Sequence, residues 1–220
     1  MKKPIVSTSI LGATPENAAK EIKKIKDANL SWIHFDVMDG KFVKNVSFDT
    51  PFLKQLCDGL ELIKDVHIMI NEPINHIEEY KDCGADYLTF HYEACKDDSE
   101  VQEVINRIHA LNMKAGISIK PNTPSDKVFP FLKDLDLVLV MSVEPGYGGQ
   151  KFMDHSIEKI AFLRNEIDRN KYHTLISVDG GINDKTAPLC LNAGADILVV
   201  GQYLFNHEDF LDRYHKIVKQ

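Results

Sequence analysis

The sequence predicts an α/β protein folded as a single (β/α)8 barrel over residues 1–220, and three observations predict it. Short apolar segments alternate with amphipathic helical stretches from end to end. Eight such pairs follow one another, the number that closes a parallel barrel. No shift of composition and no linker divides the chain, whose length suits one barrel.

Strands are expected at 4–11, 31–38, 62–70, 86–91, 113–119, 136–143, 174–179 and 196–201. Their starts fall mostly about 22–37 residues apart, the length of a strand, a helix and two turns. Thr14-Pro15-Glu16 offers an N-cap, an N1 proline and a first-turn acid to a helix over about 15–28. Thr123-Pro124 repeats that device. Asn183 or Asp184 caps the helix leading to Asn192-Ala193, with Gly194 as its stop. An open doubly wound sheet would show a glycine-rich dinucleotide fingerprint after its first strand, and Ser9-Ile10-Leu11-Gly12 is not one.

Composition narrows the partners. With 26 basic and 33 acidic side chains the net charge is -7, and no Lys/Arg-rich run is present, which argues against nucleic acid. No apolar run approaches the roughly 18 residues of a membrane span, and no apolar signal core follows the N-terminal lysines. Cys57, Cys83, Cys95 and Cys190 form no C-x-x-C pair and read as reduced core thiols, so a cytoplasmic protein is expected. An anionic ligand would gain nothing from the net charge and would need a local device, such as convergent backbone N–H groups.

Strand alternation separates two faces. In the second strand Ile33, Phe35 and Val37 point to the outer helices, while Trp32, His34 and Asp36 point into the barrel. The same parity sends Asp65, His67 and Met69 inward from the third strand, Tyr87, Thr89 and His91 from the fourth, and Ser177 and Asp179 from the seventh. His34, Asp36, His67 and Asp179 thus come from three strands to one rim, the C-terminal end where barrel enzymes build their sites. A buried carboxylate is costly unless paired or bound to a metal. Any one of these histidines alone would read as a hydrogen-bonded structural residue; the four together suit one zinc- or iron-like divalent cation. His91 reads as a residue behind such ligands, or simply as a satisfied one. His76, His109, His155, His173, His207 and His215 fall on helices or loops and read as solvated.

Glycine clusters follow the last three strands: Gly146-Tyr147-Gly148-Gly149, Gly180-Gly181 and Gly201. Such turns can aim several N–H groups at one anion, and the loops after strands seven and eight form the recurring phosphate site of these barrels.

At this point the residues resemble the ribulose-phosphate 3-epimerase family over essentially the whole chain. The matching stretches are Ser9-Ile10-Leu11, Trp32 through Val43, Asp65 through Met69, Phe90 through Ala94, Met141 through Gln150, and Val178-Asp179-Gly180-Gly181. The resemblance implies a TIM barrel of the ribulose-phosphate-binding type and a small sugar phosphate as partner. It implies that His34, Asp36, His67 and Asp179 hold one divalent metal, zinc or iron before manganese or cobalt, with no organic cofactor. Asp36 and Asp179 would also be the acid/base pair. Ser9 and His67 would contact the sugar, and Met38, Met69 and Met141 would lie against the reacting carbons. Gly146, Tyr147, Gly148, Gly149, Gly180, Gly181, Gly201 and Gln202 would hold the phosphate. The family is commonly oligomeric, so a homo-oligomer is expected. Two positions depart from its pattern: Thr8 stands where proline is common, and Gln202 where serine is common.

The implied reaction inverts C3 of D-ribulose 5-phosphate to give D-xylulose 5-phosphate in the pentose phosphate pathway. Asp36 would remove the C3 proton and Asp179 would return one to the opposite face, with the cation stabilising the enediolate between them. Allulose 6-phosphate is an alternative substrate. An orotidine-phosphate-type decarboxylase would need D-x-K-x-x-D, and Asp36-Val37-Met38-Asp39-Gly40 lacks the lysine. A non-catalytic sugar-phosphate binder would need only the glycine clusters. The loop of about residues 39–48, with Gly40, Phe42 and Asn45, is placed to cover the site.

Overall fold

A computed structural model describes residues 3–219. The expected bounds of the barrel, at residues 1 and 220, lie outside the described residues. Eight parallel strands close on themselves in chain order. They are β1 (Ile5–Ser9), β2 (Trp32–Met38), β3 (Ile63–Met69), β4 (Tyr87–His91), β5 (Lys114–Ile119), β6 (Leu137–Met141), β7 (Leu175–Asp179) and β8 (Ile197–Val200). Helices α1 (Ala18–Asp27), α2 (Thr50–Cys57), α3 (Ile77–Asp82), α4 (Asp98–Ala110), α5 (Ser156–Asn170), α6 (Thr186–Ala193) and α7 (Phe210–Val218) follow seven of the strands. A 3-10 helix, Ser125–Asp134, follows β5. Every expected strand is present, trimmed at its ends.

Three helix starts differ from the sequence reading. Residues 15–17 form a turn, in which the Thr14 N–H donates to Asn17 Oδ1 at 2.8 Å, and α1 begins at Ala18. After Thr123-Pro124 the chain stays in the tighter 3-10 form, because Pro130 inside it can give no N–H to an α ladder. The N-cap position of α6 is Lys185 rather than Asn183 or Asp184, but Asn183 Oδ1 still accepts from the N–H groups of Lys185 and Thr186 at the helix start, and Gly194 ends the helix in the left-handed region.

The outward faces carry Ile33, Phe35, Val37, Val66, Ile68, Leu88, Phe90, Ile176 and Val178 into one apolar layer against the helices. Inside the barrel a second apolar group forms the floor: Trp32, Leu137, Leu139, Ile197 and Val199, with Trp32 and Tyr87 ring centroids 4.7 Å apart. Above that dry floor the inward positions turn polar, and this places the site at the C-terminal mouth. The four cysteines are free thiols, three of them buried. Among the described residues no helix is long and apolar enough to cross a membrane.

Candidate metal centre and phosphate cradle

His34 and Asp36 are two residues apart on β2 and so share its inward face. Strand pairing then sets Asp36 beside His67 of β3, and Met141 beside Asp179, the last residue of β7. One ligand atom from each of His34, Asp36, His67 and Asp179 lies within 4.8 Å of the others. Asp36 Oδ1 is 3.2 Å from His34 Nε2 and 3.1 Å from His67 Nδ1, and Asp36 Oδ2 accepts the Ser9 hydroxyl at 2.9 Å. His34, His67, Asp36 and Ser9 are buried; Asp179 is half-buried at the open side.

The two carboxylates are driven in opposite directions. Burial raises Asp179 and the neighbouring Asp36 charge raises it further, to about 7. Burial works the same way on Asp36, but the His34 and His67 imidazoles outweigh it and hold its carboxyl well below the usual range. His34 is pushed down by burial, yet Asp36 and Asp65 carry it well above the ordinary histidine value.

The His34 ring shows why these groups suit a cation. Its Nε2 faces Asp36, and its Nδ1 faces Asp65 Oδ2 at 2.8 Å, so both nitrogens meet carboxylate oxygens. With its proton affinity raised by both carboxylates, the cation-free ring holds a proton on each nitrogen. A divalent ion among the four groups would take the place of the Nε2 proton, while Nδ1–H would go on donating to Asp65. The Ser7 hydroxyl holds the same Asp65 oxygen at 3.1 Å. Two imidazoles and two carboxylates with their donor atoms already converged fit one divalent ion.

The residues expected around the sugar fall in two groups. Met38 and Met69 pack with Val43 at the mouth, under Leu11 and Phe42. Met141 belongs instead to the floor group, beside Leu139, Val143 and Val199. The loop after β2 crosses the mouth as a small hairpin, with Asp39 bridged to Val46, and Asn45 Nδ2 donates to the Gly146 carbonyl at 2.7 Å. The glycine loop after β6 is clamped by Gln150, whose amide donates to the Glu144 and Tyr147 carbonyls, and the Tyr147 side chain is exposed.

Gly180 and Gly181 follow Asp179 with φ +118° and +63°, and a Cβ at Gly181 would come 2.6 Å from the Phe152 backbone N. Gly201 has no such need, since a Cβ there would meet Ser9 Cβ at 3.5 Å. Gln202 lies on the glycine loop: a Cβ at Gly149 would be 2.7 Å from its Oε1.

Several contributors had no sequence signal beyond inward parity or position in a motif. Asp65 was legible as inward but not as the partner of His34. Ser142, buried after β6, sets its hydroxyl 2.8 and 2.7 Å from the carbonyls of Asp179 and Gly180, with one proton to share between them, and so shapes the turn that presents Asp179. Ser47 accepts the Met38 N–H and donates to the Asp36 carbonyl, tying the loop to the strand end. His91 stands behind His67, with their Nε2 atoms 2.9 Å apart.

The comparisons agree with this geometry. A model of the ribulose-phosphate 3 epimerase family matches residues 5–205. The ribulose-phosphate 3-epimerase of Chlamydia pneumoniae is 40% identical over 203 residues, covering 91% of this chain and 87% of its own. That of Bacillus subtilis strain 168 is 39% identical over 205 residues, covering 93% of each. Among solved structures, 3-keto-L-gulonate-6-phosphate decarboxylase from Vibrio cholerae superposes with a TM-score of 0.73 over 99% of this chain and 97% of its own. At 11% identity that likeness is one of fold alone.

Proposed function

The chain belongs to the ribulose-phosphate 3-epimerase family, and on that premise we propose that it interconverts D-ribulose 5-phosphate and D-xylulose 5-phosphate by inverting C3. The observation that carries this reading is the convergence of two carboxyl groups and two imidazoles on one centre at the mouth. Asp36, from β2, would accept the C3 proton, and Asp179, from β7, would carry the proton for the opposite face. In the reverse direction the two exchange roles. The Ser9 hydroxyl on Asp36 Oδ2 leaves Oδ1 toward the imidazoles and orients the base. A divalent ion held by His34, Asp36, His67 and Asp179, zinc or iron before manganese or cobalt, would supply the positive charge that makes a C–H beside a carbonyl acidic enough to ionise.

Met38, Met69 and Phe42 form an apolar wall that keeps water from the reacting face. The phosphate is assigned to the turns at Gly146–Gly149, Gly180–Gly181 and Gly201–Gln202. The Gln202 amide lies against Gly149 at that end, where the family commonly has a serine. A place in the pentose phosphate pathway follows from D-ribulose 5-phosphate as substrate. The free thiols are consistent with a cytoplasmic enzyme.

The deciding experiment is exchange of the C3 hydrogen with isotopically labelled water, run on D-ribulose 5-phosphate and on allulose 6-phosphate, with chelated and metal-restored protein. Exchange and epimerisation of the pentulose that vanish on chelation support the proposal. Binding of both sugars without exchange would leave a sugar-phosphate binding protein in its place.

A further inference from the structure

His67 faces two ways. Its Nδ1 lies with the ligand atoms of the centre, 3.1 Å from Asp36 Oδ1, and its Nε2 is 2.9 Å from His91 Nε2. Two ring nitrogens at that distance form a hydrogen bond only if one bears a proton and the other a lone pair. For Nδ1 of His67 to offer its lone pair to a cation, the proton must sit on Nε2. His91 must then accept at Nε2 and carry its own proton on Nδ1. That nitrogen is 3.1 Å from Glu93 Oε2, an oxygen that accepts when the group is ionised. The direction of the chain is set at its far end. Glu93 Oε1 accepts the Lys120 N–H at 2.8 Å and the Thr123 hydroxyl, and Lys159 Nζ holds the Lys120 carbonyl at 2.9 Å and the Thr123 carbonyl as well. The Phe42 ring closes over His91 at 4.8 Å between centroids, with Lys120 Nζ 4.0 Å from the Phe42 centroid.

We propose that Glu93 and His91 are positioning residues: through the hydrogen-bond chain Glu93–His91–His67 they fix the tautomer and ring orientation that let His67 Nδ1 bind the cation, without touching the substrate. The inference rests on reading the four-donor cluster as a cation site. His34 receives the same service directly from Asp65; His67, on β3 beside β4, receives it through a second imidazole.

The chain makes Glu93→Gln informative. The substituted side chain is the same size. Its amide oxygen can keep the Lys120 and Thr123 contacts, which turns the NH2 toward His91. His91 Nδ1 then becomes the acceptor, Nε2 carries the proton, and His67 is left with its proton on Nδ1, donating to Asp36. The protein folds as before, and its cation ligand is blocked. Metal-free wild type, Glu93→Gln, His91→Leu and His91→Gln are titrated with Co2+ against a competing chelator. Their metal-free melting is followed alongside, and imidazole 15N spectra of the zinc-loaded forms identify which nitrogen bears each proton.

Glu93→Gln and His91→Leu are expected to weaken cobalt binding by about 10–100-fold with metal-free melting kept, the usual cost of losing such an outer partner. His91→Gln offers an acceptor to His67 and a donor to Glu93, and is expected to recover most of that loss. Cobalt binding by Glu93→Gln as tight as wild type, with His91 still protonated at Nδ1, overturns the proposal even if His91→Leu fails to fold. A wild-type protein that binds no cobalt overturns the cation reading itself, and this inference with it.

Discussion

Asp36 of β2 and Asp179 of β7 stand on strands separated by β1 and β8, yet a carboxylate oxygen of each reaches within 4.8 Å of the other, and they hold protons with opposite strength. Asp36 lies against both imidazoles; on Asp179 the Asp36 charge outweighs the opposing pull of His34. In the cation-free chain that asymmetry keeps one carboxyl ionised while the other holds its proton up to about pH 7.

Asp36→Asn removes the proposed base while keeping the side chain's size. Epimerisation should fall by at least about 10²–10⁴-fold, the range for losing a general base, and C3 exchange from D-ribulose 5-phosphate should vanish. Exchange at the wild-type rate would remove Asp36 from that role. Asp179→Asn should separate the two events: Asp36 still exchanges the C3 hydrogen of ribulose 5-phosphate, while inversion stops. Metal content is measured in both variants, because each also alters the cation site.

The pH dependence of the cation-free protein has a definite sign. Asp179 is raised from 3.8 to about 7, so the folded chain keeps a proton that the unfolded chain has released, and stability declines as pH climbs from about 4 to about 7. His34 is also raised, so its contribution is complete below its unfolded value of 6.5 and is lost as pH rises through the higher folded one. Asp36 acts only below its unfolded value of 3.8, since it is ionised in both states above that. A bound cation replaces both protons. The rise in melting temperature on adding Mn2+ should therefore be larger at pH 8 than at pH 5.5; an equal or reversed shift would contradict the proton assignments.

Gly181→Ala meets backbone rather than a movable side chain, 2.6 Å from Phe152 N, at φ +63°. The fold should lose about 1–3 kcal/mol, the cost of overpacking, readable as a lower denaturant midpoint. Gly201→Ala, with its nearest atom 3.5 Å away, should cost less than about 0.5 kcal/mol. Equal losses at the two sites would mean that the turn geometry is wrong.

Gln202→Ser shortens the exposed side chain that rests on Gly149. Stability should stay within about 0.5 kcal/mol of wild type. The ratio of kcat/KM for allulose 6-phosphate to that for ribulose 5-phosphate should rise on loss of the bulkier amide. An unchanged ratio would show that Gln202 does not set substrate length.

Asn45→Ala cuts the tie between the loop over the mouth and the Gly146 carbonyl. One hydrogen bond contributes roughly 0.5–1.5 kcal/mol, so KM should rise about 2- to 12-fold with little change in melting temperature. A fall in kcat at constant KM would instead place Asn45 in the chemical step.

Alternation along each strand determined much of this site in advance. The pleat fixes which residues share a face, so His34, Asp36, His67 and Asp179 were legible as inward and rim-bound from the chain alone, and the number and order of strands followed from the repeating pattern. The start of α1 and the 3-10 segment after β5 were less legible, because Asn17 and Pro130 act through specific backbone geometry that a cap motif does not reveal. Pairings across strands were decided by the closed barrel. The Asp65 contact with His34, the His67–His91–Glu93 chain, the Gln202 amide on Gly149 and the raised proton affinity of Asp179 all depend on register and closure. Side-chain parity is a property of neighbouring residues, whereas hydrogen-bond partners and local fields depend on segments far apart in the chain, as Asp36 and Asp179 are, 143 residues from one another.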